Sequence, residues 1–184
     1  PRSIASLGIF DPSYTMTAPV RTRMSGALDS AAQEIEPYLH ARSDAVNFAD
    51  IERNVRVGVS LMLNAITKLT GEAYLRDPEV AVQLAMTAYI SGIQISKTGV
   101  GTGWPHQLSF EVPHYISHGE CCALALPYYV AGFGESRPER VRFIGRLYQE
   151  NGIQEEVNLD ALSGKKLGVA VANIMLEKQR QLGD

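Results

Sequence analysis

The chain has 184 residues, of which 45% are hydrophobic and 20% charged, and its formal net charge is −3. These values exclude wholesale disorder and disfavour a nucleic-acid-binding protein, which usually carries a basic face. The longest apolar stretch, 121–133, is too short for a bilayer span of about 20 residues, so we expect no membrane partner. The adjacent Cys121 and Cys122 are poorly placed to pair with each other, which indicates a reducing, cytoplasmic location.

The first half of the chain predicts an extended segment followed by helices. Residues 4–10 form a short apolar run that stops at Asp11-Pro12, so we expect an extended leading segment over 1–20. Apolar residues at helical spacing, together with start and stop signals, then predict three helices, at 27–39 after Ser25-Gly26, at 48–69, and from Pro78 to just before Gly99.

The second half predicts a glycine-rich turn at 99–103 and then further helices. These helices are expected at 119–130 with Pro127 inside, from the 136–139 capping signature to about 151, and at 159–182 with an interruption at Gly164. No alternating strand pattern follows residue 10. We therefore expect an all-α bundle of about six or seven helices, forming one helical domain over 1–184.

Histidines suggest a metal site. Three of the four, His106, His114 and His118, lie within 13 residues around the glycine-rich turn, and His40 lies apart from them. Glycines let the backbone pack closely against neighbouring segments, and nearby histidine side chains can then point into the protein and ligate a cation. The alternative is that partly exposed histidines only form local hydrogen bonds.

A carboxylate in an otherwise small and apolar helix strengthens this hypothesis. Burial of Asp29 would be costly unless the side chain is paired or ligates a cation, although capping or solvent exposure is an open alternative. Gln33 lies four residues further on and shares its helix face. Cys121 and Cys122 could be soft ligands, but their apolar helix favours a place in the core. The glycine-rich turn follows a helix and lacks the dinucleotide-binding spacing.

Several sequence blocks, in order and at similar spacing, resemble the helical domain of the iron-containing (group III) alcohol dehydrogenases, which is of the dehydroquinate synthase-like type. They are Ile9-Phe10-Asp11-Pro12-Ser13-Tyr14-Thr15, Pro19, Gly26-Ala27-Leu28-Asp29 with Glu36 and Tyr38, Gly103-Trp104-Pro105-His106, Ser117-His118-Gly119, Leu124-Ala125-Leu126-Pro127 and Gln181-Leu182-Gly183.

The resemblance implies a metal-dependent, NAD- or NADP-linked oxidoreductase that interconverts an alcohol and an aldehyde or ketone. By position, Asp29, His106 and His118 match three of the family's four metal ligands, and Gln33 stands at the fourth, usually a histidine. The Asp-His-His set resembles the zinc site of glycerol dehydrogenases, so the divalent metal is expected to be iron or zinc. His114 is an alternative to His118.

The resemblance also bears on the substrate pocket and on partners. Trp104 and Phe110 are candidates to line the pocket, with core packing as the alternative, and Phe110 stands where the family often has another histidine. The family's nucleotide-binding domain and last helices are absent from this sequence, so the isolated chain is expected to be inactive. The complete enzyme is expected to be a homo-oligomer. Two alternatives stay open: a metal-free, maleylacetate reductase-like enzyme in which Gln33 marks a lost site, and a non-catalytic helical module.

Overall fold

The computed structural model describes residues 9–69, 76–112, 115–152 and 157–183. Within these ranges the chain forms seven α-helices and short 3-10 helices, and it contains no strand, so the predicted all-α fold is confirmed. The α-helices are α1 (Val20–His40), α2 (Phe48–Leu69), α3 (Pro78–Thr98), α4 (Trp104–Leu108), α5 (His118–Gly132), α6 (Pro138–Glu150) and α7 (Gly164–Gly183).

Helix α1 lies at the centre of the bundle. It packs against α2, α3 and α5, while α5 and α6 both pack against α7 and the short α4 rests on α5. The apolar stripes of these helices meet in one core that includes Ile35, Leu39, Met62, Ile144 and Ile174. Since α1 contacts so many neighbours, polar side chains along it can meet residues from distant parts of the sequence.

Helices α2 and α3 have the bounds that the sequence predicted. The Asp77 side chain accepts a hydrogen bond from the Glu79 backbone at the start of α3, and Gly99 ends this helix with a left-handed φ of 62°. Among the described helices, none combines the length and apolar character needed to cross a membrane.

The predicted start of α1 was wrong by about two turns. The helix begins at Val20, directly after Pro19, and continues through Ser25-Gly26, the predicted boundary. The Ser25 hydroxyl does not cap a helix, because it accepts a hydrogen bond from the Ser117 hydroxyl at 2.8 Å. An ideal Cβ on Gly26 would meet no neighbour, so nothing in its surroundings forces a break.

Two further predictions are corrected by local hydrogen bonding. The leading segment is not extended throughout, because Asp11 caps the Ser13 backbone at 2.9 Å and opens a 3-10 helix over Pro12–Thr15. The other part of the predicted run, 4–8, lies outside the described residues. Helix α4 was not predicted, since five residues are too few to show helical periodicity.

Candidate metal centre

Four side chains from three helices converge at one end of α4. Asp29 on α1, His106 on α4, and His118 and Cys122 on α5 each offer one ligand atom, and these atoms all lie within 4.8 Å of one another. Asp29 Oδ1 lies 3.2 Å from Nε2 of His106 and 3.2 Å from Nε2 of His118. Cys122 Sγ lies 3.7 Å from the same His118 nitrogen. The structure thus brings together three of the predicted ligands and adds a sulfur atom.

Two of these atoms are buried and lack a hydrogen-bond partner within the described part of the chain. They are Asp29 Oδ1 and His106 Nε2, whose mutual approach does not have hydrogen-bond geometry. An unsatisfied buried polar group costs about 1–3 kcal/mol. A divalent cation between the two atoms would satisfy both, and oxygen, nitrogen and sulfur donors together are a set that zinc accepts. The residues therefore fit a metal ion.

The cluster is closed on one side and open on the other. His106 and Cys122 are buried, whereas the side chains of His118 and Asp29 are 42% and 24% exposed. A small molecule could therefore approach the donors from the His118 side without any helix moving.

Glu36 fixes the orientation of His106 from behind. This fully buried carboxylate on α1 has Oε1 2.8 Å from His106 Nδ1, and its other oxygen accepts a hydrogen bond from the Gly103 backbone at 2.5 Å. A carboxylate on Nδ1 holds the proton there and leaves Nε2 for a cation. Burial would lower the pKa of His106, but contacts with Asp29, Cys122 and Glu36 raise it to about 11. A cation at Nε2 would therefore replace the second proton of the imidazolium, while Nδ1 keeps the proton shared with Glu36.

A glycine permits the close approach of the loop before α4. A Cβ on Gly103 would collide with the ring and hydroxyl of Tyr129, so a larger residue would displace either the Tyr129 side chain or this loop. The Gly103 backbone also donates to Glu36. His106 is therefore placed by its own loop as well as by the imidazole contact.

The start of α5 is held against α1 by a second glycine and an ion pair. A Cβ on Gly119 would collide with the Ser25 carbonyl oxygen, so the two backbones touch at this point. Arg21 donates to both Glu120 oxygens, at 2.7 and 2.8 Å, and this pair lowers the pKa of Glu120 to about 2. These contacts place His118 beside the carboxylate of α1.

Gln33 lies beside Asp29, as its spacing predicted, but its amide is occupied. Nε2 donates to Asp29 Oδ2 at 2.8 Å, and Oε1 accepts from the Ser91 hydroxyl at 3.1 Å. The carboxylate fixes this orientation, because only the NH₂ end of an amide can donate to it. In this arrangement Gln33 supports Asp29, and its oxygen is directed to Ser91.

The aromatic residues predicted for the substrate pocket lie at the surface near the cluster. Phe110 is 80% exposed with its ring centroid 6.0 Å from that of His118, and Trp104 is 44% exposed and packs edge-on against Tyr129. Core packing, the alternative for both, is therefore wrong. His114, the alternative ligand, lies outside the described residues.

Two residues of this centre were not predicted as its members. Cys122 was considered as a soft ligand and assigned to the core, where the structure does bury it completely. It also follows His118 by four residues in a helix, a spacing that places both on one face. Glu36 was named only as part of a motif and was given no role at the metal site. It lies about two helical turns from Asp29 and therefore on the same side of α1. Helical spacing was the signal available for both residues.

Comparisons with known proteins find alcohol dehydrogenases. The chain is 23% identical over 141 residues to long-chain-alcohol dehydrogenase 1 of Geobacillus thermodenitrificans, a match that covers 75% of this chain and 33% of that protein. This chain therefore spans about a third of that relative. No protein-family model matches the sequence.

Solved structures with the same fold include an alcohol dehydrogenase from Oenococcus oeni, with a TM-score of 0.73 and 18% identity over 94% of this chain and 42% of that one. A second is the substrate- and cofactor-free form of the aldehyde reductase YqhD from E. coli, with a TM-score of 0.53 and 22% identity over 94% of this chain and 43% of that one. The chain thus shares its fold with part of these enzymes, and the resemblance to the iron-containing alcohol dehydrogenases indicated by the sequence motifs is confirmed.

Proposed function

We propose that this chain supplies the metal site of an NAD(P)-linked oxidoreductase that interconverts an alcohol and an aldehyde or ketone. The observation that carries the proposal is the convergence of Asp29, His106 and His118 from distant parts of the sequence. The names of the relatives, two alcohol dehydrogenases and an aldehyde reductase, support the same class of reaction.

The residues of the centre divide into ligands and supports. Asp29, His106 and His118 would hold the cation, while Glu36 orients one imidazole and Gln33 holds the carboxylate. A divalent metal here, iron or zinc, supplies a Lewis acid that lowers the pKa of an alcohol and polarises a carbonyl. The partly exposed His118 side chain marks the side from which a substrate oxygen would approach the centre.

The proposal needs a nicotinamide cofactor from outside the described helices. Hydride transfer between the substrate carbon and NAD or NADP is the chemistry of that cofactor. We assign its binding to a nucleotide-binding domain that completes the enzyme, since this chain spans about a third of its curated relative. Phe110 and Trp104 would then form one wall of the cleft and shield the substrate from water. We expect no turnover from the chain alone, and we propose a cytoplasmic homo-oligomer.

Metal content tests the proposal directly. The purified chain is dialysed against zinc or iron(II), and bound metal is measured by mass spectrometry. We expect about one equivalent in the unmodified chain and a large loss in Asp29→Asn and His106→Ala. His40→Ala is the matched control, because His40 contacts Tyr129 and is not a member of the cluster. Equal metal content in all variants would contradict the proposed site.

Turnover separates the proposed function from its alternatives. Oxidation of NADH and NADPH is followed with aldehydes, for the chain alone and with a nucleotide-binding domain supplied. Activity that appears with this domain and disappears on chelation supports the metal-dependent enzyme. Activity that survives exhaustive chelation would favour a metal-free reductase. No activity, either for the chain alone or with the nucleotide-binding domain, would favour a non-catalytic module.

A further inference from the structure

We propose that the sulfur of Cys122, and not the amide of Gln33, is the fourth ligand of this centre. The site would then be an Asp-His-His-Cys set selective for zinc over iron, and the substrate oxygen of the proposed function would add to it as a fifth ligand, an expansion that catalytic zinc sites permit. This inference rests on the proposed metal function, but it concerns a different residue and makes a separate prediction about the donor atoms.

The distances around His118 match those between the donors of a tetrahedral zinc ion. Bonds of about 2.3 Å to sulfur and about 2.0–2.1 Å to nitrogen separate those two donors by roughly 3.5 Å. Cys122 Sγ lies 3.7 Å from His118 Nε2, and Asp29 Oδ1 lies 3.2 Å from the same nitrogen. A single ion can therefore reach sulfur, nitrogen and oxygen after small side-chain adjustments.

Gln33 is a poor competitor for this fourth position. The NH₂ end of its amide, which cannot ligate a cation, is the end that faces Asp29, and its oxygen lies beside the Ser91 hydroxyl at 3.1 Å. The Cys122 thiol, in contrast, has weak contacts, 3.8 Å from the Pro105 carbonyl oxygen and 3.7 Å from His118. Replacing them by a metal bond costs little.

Charge also favours the thiolate. A buried divalent cation is costly unless anionic donors offset its charge. Asp29 supplies one negative charge and the Cys122 thiolate a second, whereas Gln33 is neutral. On ligation the thiol proton leaves to solvent, because a coordinating thiol is deprotonated. The charges of the cation and its four ligands then cancel, with the Glu36 carboxylate behind His106 outside this count. The soft sulfur donor favours zinc over harder ions.

The neighbouring cysteine supplies a control within the same helix. Cys121 is also buried and free, but it lies one residue from Cys122 and does not belong to the cluster. Successive helical residues point about 100° apart, so the two thiols face different surroundings. A purely structural role for both cysteines predicts that neither one affects the bound metal.

Cobalt(II) reports sulfur ligation spectroscopically. The full chain is titrated with cobalt, and we expect the near-ultraviolet sulfur-to-cobalt charge-transfer band in the unmodified chain, in Cys121→Ser and in Gln33→Ala. In Cys122→Ser the band should be absent, and the zinc affinity should fall by more than the roughly 10–100-fold that loss of an outer-sphere partner costs. Circular dichroism checks that each variant keeps its helices.

A second measurement needs no variant. X-ray absorption at the zinc edge of the unmodified chain should show one sulfur scatterer at about 2.3 Å. Cobalt or zinc bound without any sulfur signal would overturn the role of Cys122 and leave the proposed function standing. Failure of the unmodified chain to bind either metal would overturn both.

Discussion

Glu36 Oε1 lies 2.8 Å from Nδ1 of His106, and both side chains are buried between α1 and α4. This contact decides which imidazole nitrogen faces Asp29. It also links the centre of the bundle to the short helix that carries the ligand, so the metal site depends on a residue that would not touch the metal.

We expect Glu36→Gln to weaken zinc binding by roughly 10–100-fold, because the oxygen of a neutral amide accepts the His106 Nδ1 proton less strongly than a carboxylate does. Competition with a chromogenic chelator measures the affinity. Glu34→Gln is the matched control, since Glu34 is an equally buried glutamate on α1 that contacts Thr87 instead. Equal losses of zinc affinity in the two variants would show that the loss comes from changing a buried glutamate and not from breaking the contact with the imidazole.

Gly119→Ala should reduce both stability and metal affinity. Its methyl group would collide with the Ser25 carbonyl oxygen and push α5, with His118, away from α1. Overpacking of this kind costs about 1–3 kcal/mol. Gly132→Ala, at the other end of α5, should be close to neutral because a Cβ there meets nothing. Urea unfolding and zinc titration of both variants test this difference, and an undisturbed Gly119→Ala protein would refute the close contact.

Acid should weaken the attachment of α5 to α1. The Arg21 pair lowers the pKa of Glu120 from 4.5 to about 2, so the native state binds this proton less readily than the unfolded chain. The stabilisation is present above pH 4.5 and is lost as pH falls towards 2. The deficits in unfolding free energy of Arg21→Ala and Glu120→Gln should therefore be largest near pH 7 and shrink together below pH 4.5. A deficit that does not vary with pH would contradict this origin.

Glu34 should give the opposite pH dependence. Burial raises the pKa of this carboxyl well above 4.5, and its Oε2 has no hydrogen-bond partner in the described part of the chain. The native state therefore binds the proton more tightly, and stability from this group is full below pH 4.5 and declines as pH rises. Glu34→Gln stays neutral, so its advantage in unfolding free energy should grow from pH 4.5 to 8. A constant difference across this range would exclude titration of Glu34.

The long helices could be predicted from sequence because several signals agreed. In α3, for example, Asp77 and Pro78 mark the start and Gly99 the end, and the structure uses all three in those roles. The start of α1 could not be found in the same way. Ser25-Gly26 has the composition of a boundary, but its hydroxyl is engaged by Ser117, a partner far along the chain.

The metal centre was predictable only in part. Residue types alone indicated Asp29 and the histidine cluster as candidates, and the resemblance to a family then matched Asp29, His106 and His118 to ligand positions, since spacing alone does not reveal that residues so far apart meet. The amide of Gln33 was placed correctly beside Asp29, but its bond to Ser91 depends on how α1 packs against α3. Cys122 was judged by its apolar neighbours in sequence, while its position one turn after His118 determines what it contacts.

The exposure of His118 has a consequence for how the protein acquires its ion. Because the His118 side chain is 42% exposed while His106 and Cys122 are buried, we expect a cation to enter and leave past His118 with the helices intact. Metal binding would then not require the chain to unfold. A chelator should strip the folded protein quickly and reversibly, at a rate independent of global unfolding.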